Sequence, residues 1–467
     1  MMRFPLLFLA AGLVSCAPLP PLVTDPPSET PAENSQKKIA SADSLSKDSA
    51  ASVPFVAVAP AVAPKDSSVS DSSNFKPVEP APVLSSTPKN IPTMALAAEL
   101  SRDFRVGIQV GVSKTEISGK NYRIAFHEND DGSEKSGALK ISANGSRVSA
   151  GSDKADSVWI FPGESSRISV DGKEYRGKIL VVNSAKKLNV INILPIEDYL
   201  KGVVPNEIGK LDASMFEALK VQAVAARTYA YHHFNSRISL GFDVFATVQD
   251  QVYNGCASEA ELPSAAIDST AGIVLTNNGE FIEAYYHSTC GGYTDGVEVW
   301  GLAPVSYLKS QSDMKNTDSA WCSASSYSSW KKVYSEKELV TMFKKNFKAA
   351  KASGNSDFSK IQQIEVQSEF PGRRVNQLEV LTDKGIFTAN GDRIRQLFKE
   401  GSKILPSSKF KIEKNGKVWV LDGSGFGHGI GMCQMGARAR AKAGQSFQEI
   451  LQAYYPGTSL QCVHSEQ

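Results

Sequence analysis

The stretch Leu188-Asn189-Val190-Ile191-Asn192-Ile193-Leu194-Pro195-Ile196-Glu197-Asp198-Tyr199-Leu200 decides the fold class, because the chain changes its hydrophobic period inside it. Up to Leu194 the pattern is that of a strand. From Pro195 it is that of a helix: proline suits the first helical position, and Glu197 and Asp198 suit the positive end of the helix dipole. Upstream, Val106, Ile108, Val110 and Val112 alternate with Arg105, Gly107, Gln109 and Gly111, which predicts a half-buried strand. Shorter strands are predicted around 122–126, 157–161, 175–182 and 188–194, separated by turn residues. Residues 100–190 therefore read as a β-rich subdomain. It should pack on a mixed helix and strand body over 190–462, giving an α+β protein.

Downstream, Pro205 is expected to close the first helix after Leu200, Val203 and Val204. Ser214-Met215-Phe216-Glu217 has the spacing of a capping box, and the helix after it carries the stripe Phe216, Leu219, Ala223, Ala226 and Ala230. Arg227 falls on or beside that buried stripe and needs a carboxylate partner. Further on, Ser335 to Glu338 opens another helix that carries Leu339, Phe343 and Phe347. Residues 361–366 and 377–381 read as strands. The arginines of Gly372-Arg373-Arg374-Val375, with Arg393 and Arg395, read as solvated surface charge.

The N-terminus has a different composition. Met1-Met2-Arg3 followed by the apolar Phe4–Val14 reads as a signal peptide over 1–15. Leu13-Val14-Ser15-Cys16 resembles the lipobox at which bacterial lipoproteins are cut, leaving Cys16 acylated. Residues 16–95 are rich in Pro, Ser and Ala, with Phe55 and Phe75 the only aromatic residues as far as Pro92, and are expected to form a disordered tether. Later stretches are too polar for a membrane helix, so membrane contact should be through the lipid alone. A formal net charge of +2 gives no warrant for nucleic-acid binding.

Three stretches carry chemistry. In Val203-Val204-Pro205-Asn206-Glu207, the carboxyl of Glu207 lies on a loop rim among apolar neighbours, where its pKa can rise into the range of a general acid. In His287-Ser288-Thr289-Cys290-Gly291-Gly292, His287 and Cys290 could supply two zinc ligands. The expectation adopted is instead a disulfide between Cys290 and Cys322, with free thiols as the third reading. Gly423 to Ala437 is a glycine-rich loop in which His428 should face a cleft and whose alternating glycines would let backbone approach a ligand. It lacks the Gly-Lys-Ser/Thr ending of a phosphate loop.

Taken in order, Ile193–Glu207, Gln222–Ala230, Asp250–Gly255, His287–Gly292, Gly425–Ala437 and Tyr454–Thr458 resemble the SpoIID/LytB family. The resemblance implies a protein that acts on peptidoglycan, and in one branch a lytic transglycosylase whose single acidic residue corresponds to Glu207. Tyr199, Arg227, His428 and Gln434 would then bind substrate or shape the cleft, and no cofactor is required. The other branch implies a noncatalytic enhancer of a cell-wall amidase. Some relatives are expected to bind zinc near the His287 motif, and Cys433 stands where serine is common. An exported lipoprotein of the cell envelope, anchored at Cys16, follows from the N-terminus and the resemblance together.

Overall fold

The computed structural model describes residues 91–163 and 167–464. The signal peptide, Cys16 and all of the tether before residue 91 lie outside them. The chain joins the fold before the tether was expected to end: Thr93–Ala95 is a strand, paired in parallel with Ser459–His464 through Thr93↔Cys462 and Ala95↔His464. No helix among the described residues is long and apolar enough to cross a membrane.

The protein is α+β. Lys187–Leu194 sits between Phe104–Val112 and Lys178–Ser184 in an eleven-stranded sheet that continues through Ser157–Phe161, Lys114–Ala125 and Ser133–Asn144. Beyond Lys187 every residue of that strand is buried, because both faces of the sheet are covered here. The predicted alternation of the first strand fades along its length. Phe104 and Val106 are fully buried, but Val110 is 38% exposed. Register shifts against Lys187–Leu194 are the reason, since each bulge exchanges the inward and outward faces. Val244–Phe245 adds a parallel edge strand opposite Val106 and Gly107, which delivers the following segment, 246–258, to the neighbourhood of Glu207.

Pro195 caps a helix over Ile196–Lys201. Pro205 acts differently from the expectation. It opens a second short helix, Val204–Glu207, so that Glu207 ends a helical turn rather than lying on a loop beyond one. The next helix, Phe216–His232, is started by a 3-10 turn in which Asp212 accepts from Ser214 N at 2.9 Å. The expected capping box is not formed. Glu217 accepts instead from Phe447 N at 2.7 Å and pairs with Lys220. The helix is buried around nearly its whole circumference, which its small residues at 223, 225, 226 and 230 allow. Thr228 ties it to the strand Ile273–Asn277 by accepting from Leu275 N at 2.9 Å.

A second, separate core lies within 330–423. The helix Glu336–Asn346, with the predicted capping box of Ser335 and Glu338, buries Leu339 and Phe343 against the sheet Ile361–Glu369, Val375–Thr382 and Gly385–Asn390. Trp330–Ser335, Val418–Gly423 and Phe410–Asn415 form a second small sheet beside it. Two of the arginines read as solvated are in fact buried. Arg374 pairs with Asp295 at 2.9 Å, and Arg395 pairs with Asp392 at 3.1 Å.

Candidate functional site

Glu207 is held by the segment that follows the edge strand. Its Oε1 accepts from Val252 N at 2.8 Å, and the adjacent Asn206 donates to Gly202 O and Ser258 Oγ while accepting from Asn254 Nδ2 at 3.1 Å. Gly202 must be glycine for this turn to seat, because a Cβ there would lie 2.4 Å from the Tyr253 ring. Glu207 is half-buried, and among the described residues it has no cationic partner and no hydrogen-bond donor on its second oxygen. Burial pushes its carboxyl up to about 7, opposed by the Val252 hydrogen bond. A group with that pKa holds a proton at neutral pH and can also lose it, as a general acid that later acts as a base must.

Behind the carboxyl lies a polar relay that sequence reasoning missed. Gln251 is fully buried. Its Oε1 accepts from the Tyr199 hydroxyl at 3.1 Å, and its Nε2 donates to the Tyr286 hydroxyl at 3.0 Å and to Ala226 O. The charge of Glu207 helps hold both phenols protonated, after the larger effect of their own burial. Gln251 falls inside the Asp250–Gly255 motif and Tyr286 immediately before the His287 motif. Neither carried a local signal of its role.

The His287 motif and the glycine-rich loop interleave. Tyr286–His287 pairs in parallel with Met432–Cys433, Thr289 bridges Phe426, and Asp295 bridges Ile430. The glycines serve this packing rather than close approach to a ligand. At Gly429, with φ +84°, a Cβ would lie 1.9 Å from the Arg374 guanidinium carbon; at Gly431 it would lie 2.1 Å from Tyr285 O. Arg374 crosses from the second core into this joint and donates to Tyr293 O, Cys290 O and Asp295.

Several predicted site residues are thereby reassigned. Arg227 is fully buried and makes a two-pronged ion pair with Glu197 at 2.7 and 2.8 Å, so the carboxylate it engages is Glu197 and not Glu207. Tyr199 is fully buried and acts only through Gln251. His428 has both ring nitrogens engaged: Nε2 donates to Tyr286 O and Nδ1 accepts from Ile430 N, each at 3.0 Å. Burial lowers its pKa to about 4, so it is a neutral joint between the loops rather than a cleft-facing base. Gln434 stays half-buried, donating to Gln222 at 3.2 Å. Cys290 and Cys322 do come together, their sulfurs 3.6 Å apart with no bond drawn between them. His287 is not beside Cys290 as a metal ligand. Its Nδ1 donates to Ile430 O at 3.1 Å, while Cys290 converges with Cys322, Cys433 and Asp313.

The fold and site define a class in which one half-buried glutamate, without a cationic partner among the described residues, ends a proline-opened helical turn beside a polar relay built from three neighbouring segments. A family model described as "Stage II sporulation protein" matches residues 184–277, and one described as "Domain of unknown function" matches residues 316–431, the region of the second core. The chain is 33% identical over 294 residues to an uncharacterized protein of Brachyspira hyodysenteriae, covering 62% of this chain and 73% of the relative. It is 32% identical to the stage II sporulation protein D of Bacillus subtilis, covering 57% and 74%. It is 34% identical to the amidase enhancer of Bacillus subtilis, covering 63% of this chain but only 45% of that longer protein. The chain belongs to the SpoIID/LytB family.

Proposed function

We propose that this protein cleaves peptidoglycan glycan strands as a lytic transglycosylase, with Glu207 as its single acid and base. The observation that carries the reading is that burial raises the Glu207 carboxyl to about 7 and that no cation stands beside it among the described residues. In its protonated form Glu207 gives its proton to the glycosidic oxygen between N-acetylmuramic acid and N-acetylglucosamine, and the bond from muramic acid C1 to that oxygen breaks. The C6 hydroxyl of the same muramic acid then attacks C1 and returns its proton to Glu207. The product is a 1,6-anhydro ring, and no water is consumed. One carboxyl therefore suffices where ordinary glycosidases need two.

Gln251, Tyr199 and Tyr286 are positioning residues that fix the wall behind the acid, and Gln434 is the member of the predicted binding set still able to reach a sugar. No cofactor takes part in the chemistry. The protein works in the cell envelope, anchored through an acylated Cys16. The relative named amidase enhancer supports a second reading, in which the same surface binds glycan and stimulates a cell-wall amidase without cleavage. Glu207→Gln separates the two. The transglycosylase reading expects turnover on purified sacculi to fall by about 10²–10⁴-fold with strand binding retained. Amidase stimulation unaffected by the change, in a protein that releases nothing itself, would favour the second.

A further inference from the structure

Three cysteines far apart in sequence meet at one buried point. Cys290 comes from the His287 motif, Cys322 from the start of the region matching the second family model, and Cys433 from the end of the glycine-rich loop. Asp313 joins them, and the four ligand atoms all lie within 4.8 Å of one another. Cys290 Sγ is 3.6 Å from Cys322 Sγ and 3.2 Å from Asp313 Oδ2. A tetrahedral zinc ion with Zn–S bonds of about 2.3 Å has ligand-to-ligand edges of about 3.8 Å. The cluster matches that scale. A disulfide would join two of the thiols and leave the third buried beside a carboxylate, and the spacing is too tight for a multi-iron cluster.

Backbone amides donate to the sulfurs of Cys290 and Cys433, while Cys290 Sγ in turn faces Asp313 Oδ2 and Cys433 Sγ faces Ser288 O. Gly292 N donates to Cys290 Sγ at 3.2 Å, Cys290 N donates to Cys433 Sγ at 3.2 Å, and Gly436 N donates to Cys433 Sγ at 3.3 Å. Cys433 is also the N-cap of the helix Gln434–Lys442, so its sulfur is fixed by the first turn of that helix. Asp313, 1% exposed, keeps Oδ2 toward Cys290, while Oδ1 takes Arg440 at 3.0 Å and the Tyr454 hydroxyl bonds both oxygens. That arrangement is an outer shell, in which Arg440 offsets the excess negative charge of three thiolates and a carboxylate. Close packing adds to it: a Cβ at Gly436 would lie 2.5 Å from Asp313 Oδ2.

We propose that Cys290, Cys322, Cys433 and Asp313 form a structural zinc site, one that pins the His287 motif, the 313–322 segment and the Gln434–Lys442 helix into a single joint. Soft sulfur donors in a closed tetrahedral set select zinc over the hard cations. The site has no open position and takes no part in bond cleavage. Its effect is on folding and on the rigidity of the joint between these three segments.

The test is elemental analysis of the purified protein after exhaustive dialysis, with cobalt exchange and thermal melts. One zinc per chain is expected, together with a cobalt form that shows sulfur-to-metal charge-transfer absorption and a melting temperature that drops on treatment with a strong chelator. Cys322→Ser and Cys433→Ser should each lose the metal, whereas Asp313→His, which keeps a ligand, should retain it. The cobalt spectrum is taken on the unaltered protein and does not depend on any variant folding. Metal-free protein with Cys290 and Cys322 linked in an unreduced peptide map would overturn the proposal. So would stoichiometric zinc that survives the double change Cys322→Ser, Cys433→Ser.

Discussion

Arg227 and Glu197 form a two-pronged ion pair, Nη2 to Oε2 at 2.7 Å and Nε to Oε1 at 2.8 Å, with the guanidinium fully buried and also donating to Ile273 O and Ile267 O. Glu197 supports the loop before Ile273 in turn, accepting from Gly272 N at 3.2 Å. This buried cation is thus committed to a carboxylate ten residues before Glu207, and Glu207 keeps a raised pKa.

Arg227→Met should therefore act on stability. Removing one partner of a buried pair costs about 3–5 kcal/mol, and the two further hydrogen bonds of the guanidinium, to Ile273 O and Ile267 O, are lost. Chemical denaturation should show that loss, while the turnover of whatever fraction remains folded stays within a few-fold of the unaltered protein. A selective loss of glycan binding with unchanged stability would return Arg227 to the cleft.

The joint between Gly429 and Arg374 gives a second expectation. Gly429→Ala forces a Cβ to within 1.9 Å of the guanidinium at a positive φ, and Arg374→Ala leaves the 1%-exposed Asp295 without its cation. Each change alone should lower the melting temperature by several degrees. The double change should cost clearly less than the sum, because the small side chain at 374 removes the clash at 429. Simple additivity in a double-mutant cycle would mean that the two residues do not meet.

Much of this was legible in the sequence, and the part that was not shares a cause. Strands 157–161 and 361–366, the Ser335 capping box and the helix start at Pro195 are local patterns, and the structure keeps them. What failed was long-range. The bulged register of Phe104–Val112, the use of Glu217 to hold Phe447 rather than to cap its own helix, and the burial of Arg374 all depend on segments far away in sequence. The same holds at the site. Glu207 stands out by its motif, but Gln251, Tyr286 and Asp313 gain their positions only when distant segments pack together, and His428 looked like a cleft residue because the Tyr286 carbonyl that occupies it lies 142 residues earlier.

Glu207 should also leave a mark on the pH dependence of stability. Its folded pKa of about 7 exceeds the ordinary value of 4.5, so the folded state binds this proton more tightly than the unfolded one. Stability is full below the unfolded value, declines as pH rises from about 4.5 to about 7, and is lower above that by about 3 kcal/mol. Glu207→Gln can still accept from Val252 N and carries no charge to bury. Its stability should equal that of the unaltered protein near pH 4 and exceed it at pH 8. The difference between the two curves isolates this residue, since the other groups titrate in both proteins. A variant less stable at pH 8 would mean that the charge is compensated by a partner.

The same group sets the rate profile. A general acid must enter the reaction protonated, so kcat/KM on glycan strands should fall as pH rises through about 7. A rate that keeps climbing through pH 8 would point to an ionised nucleophile.

The central claim rests on bond chemistry, and the most direct measurement is the mass of the products. Purified sacculi digested with this protein alone, and the released muropeptides analysed by mass spectrometry, should give fragments ending in 1,6-anhydro-muramic acid, each lighter by one water than the corresponding hydrolysis product and absent from the Glu207→Gln digest. Fragments with reducing ends, or no release at all from a folded and glycan-binding protein, would contradict it.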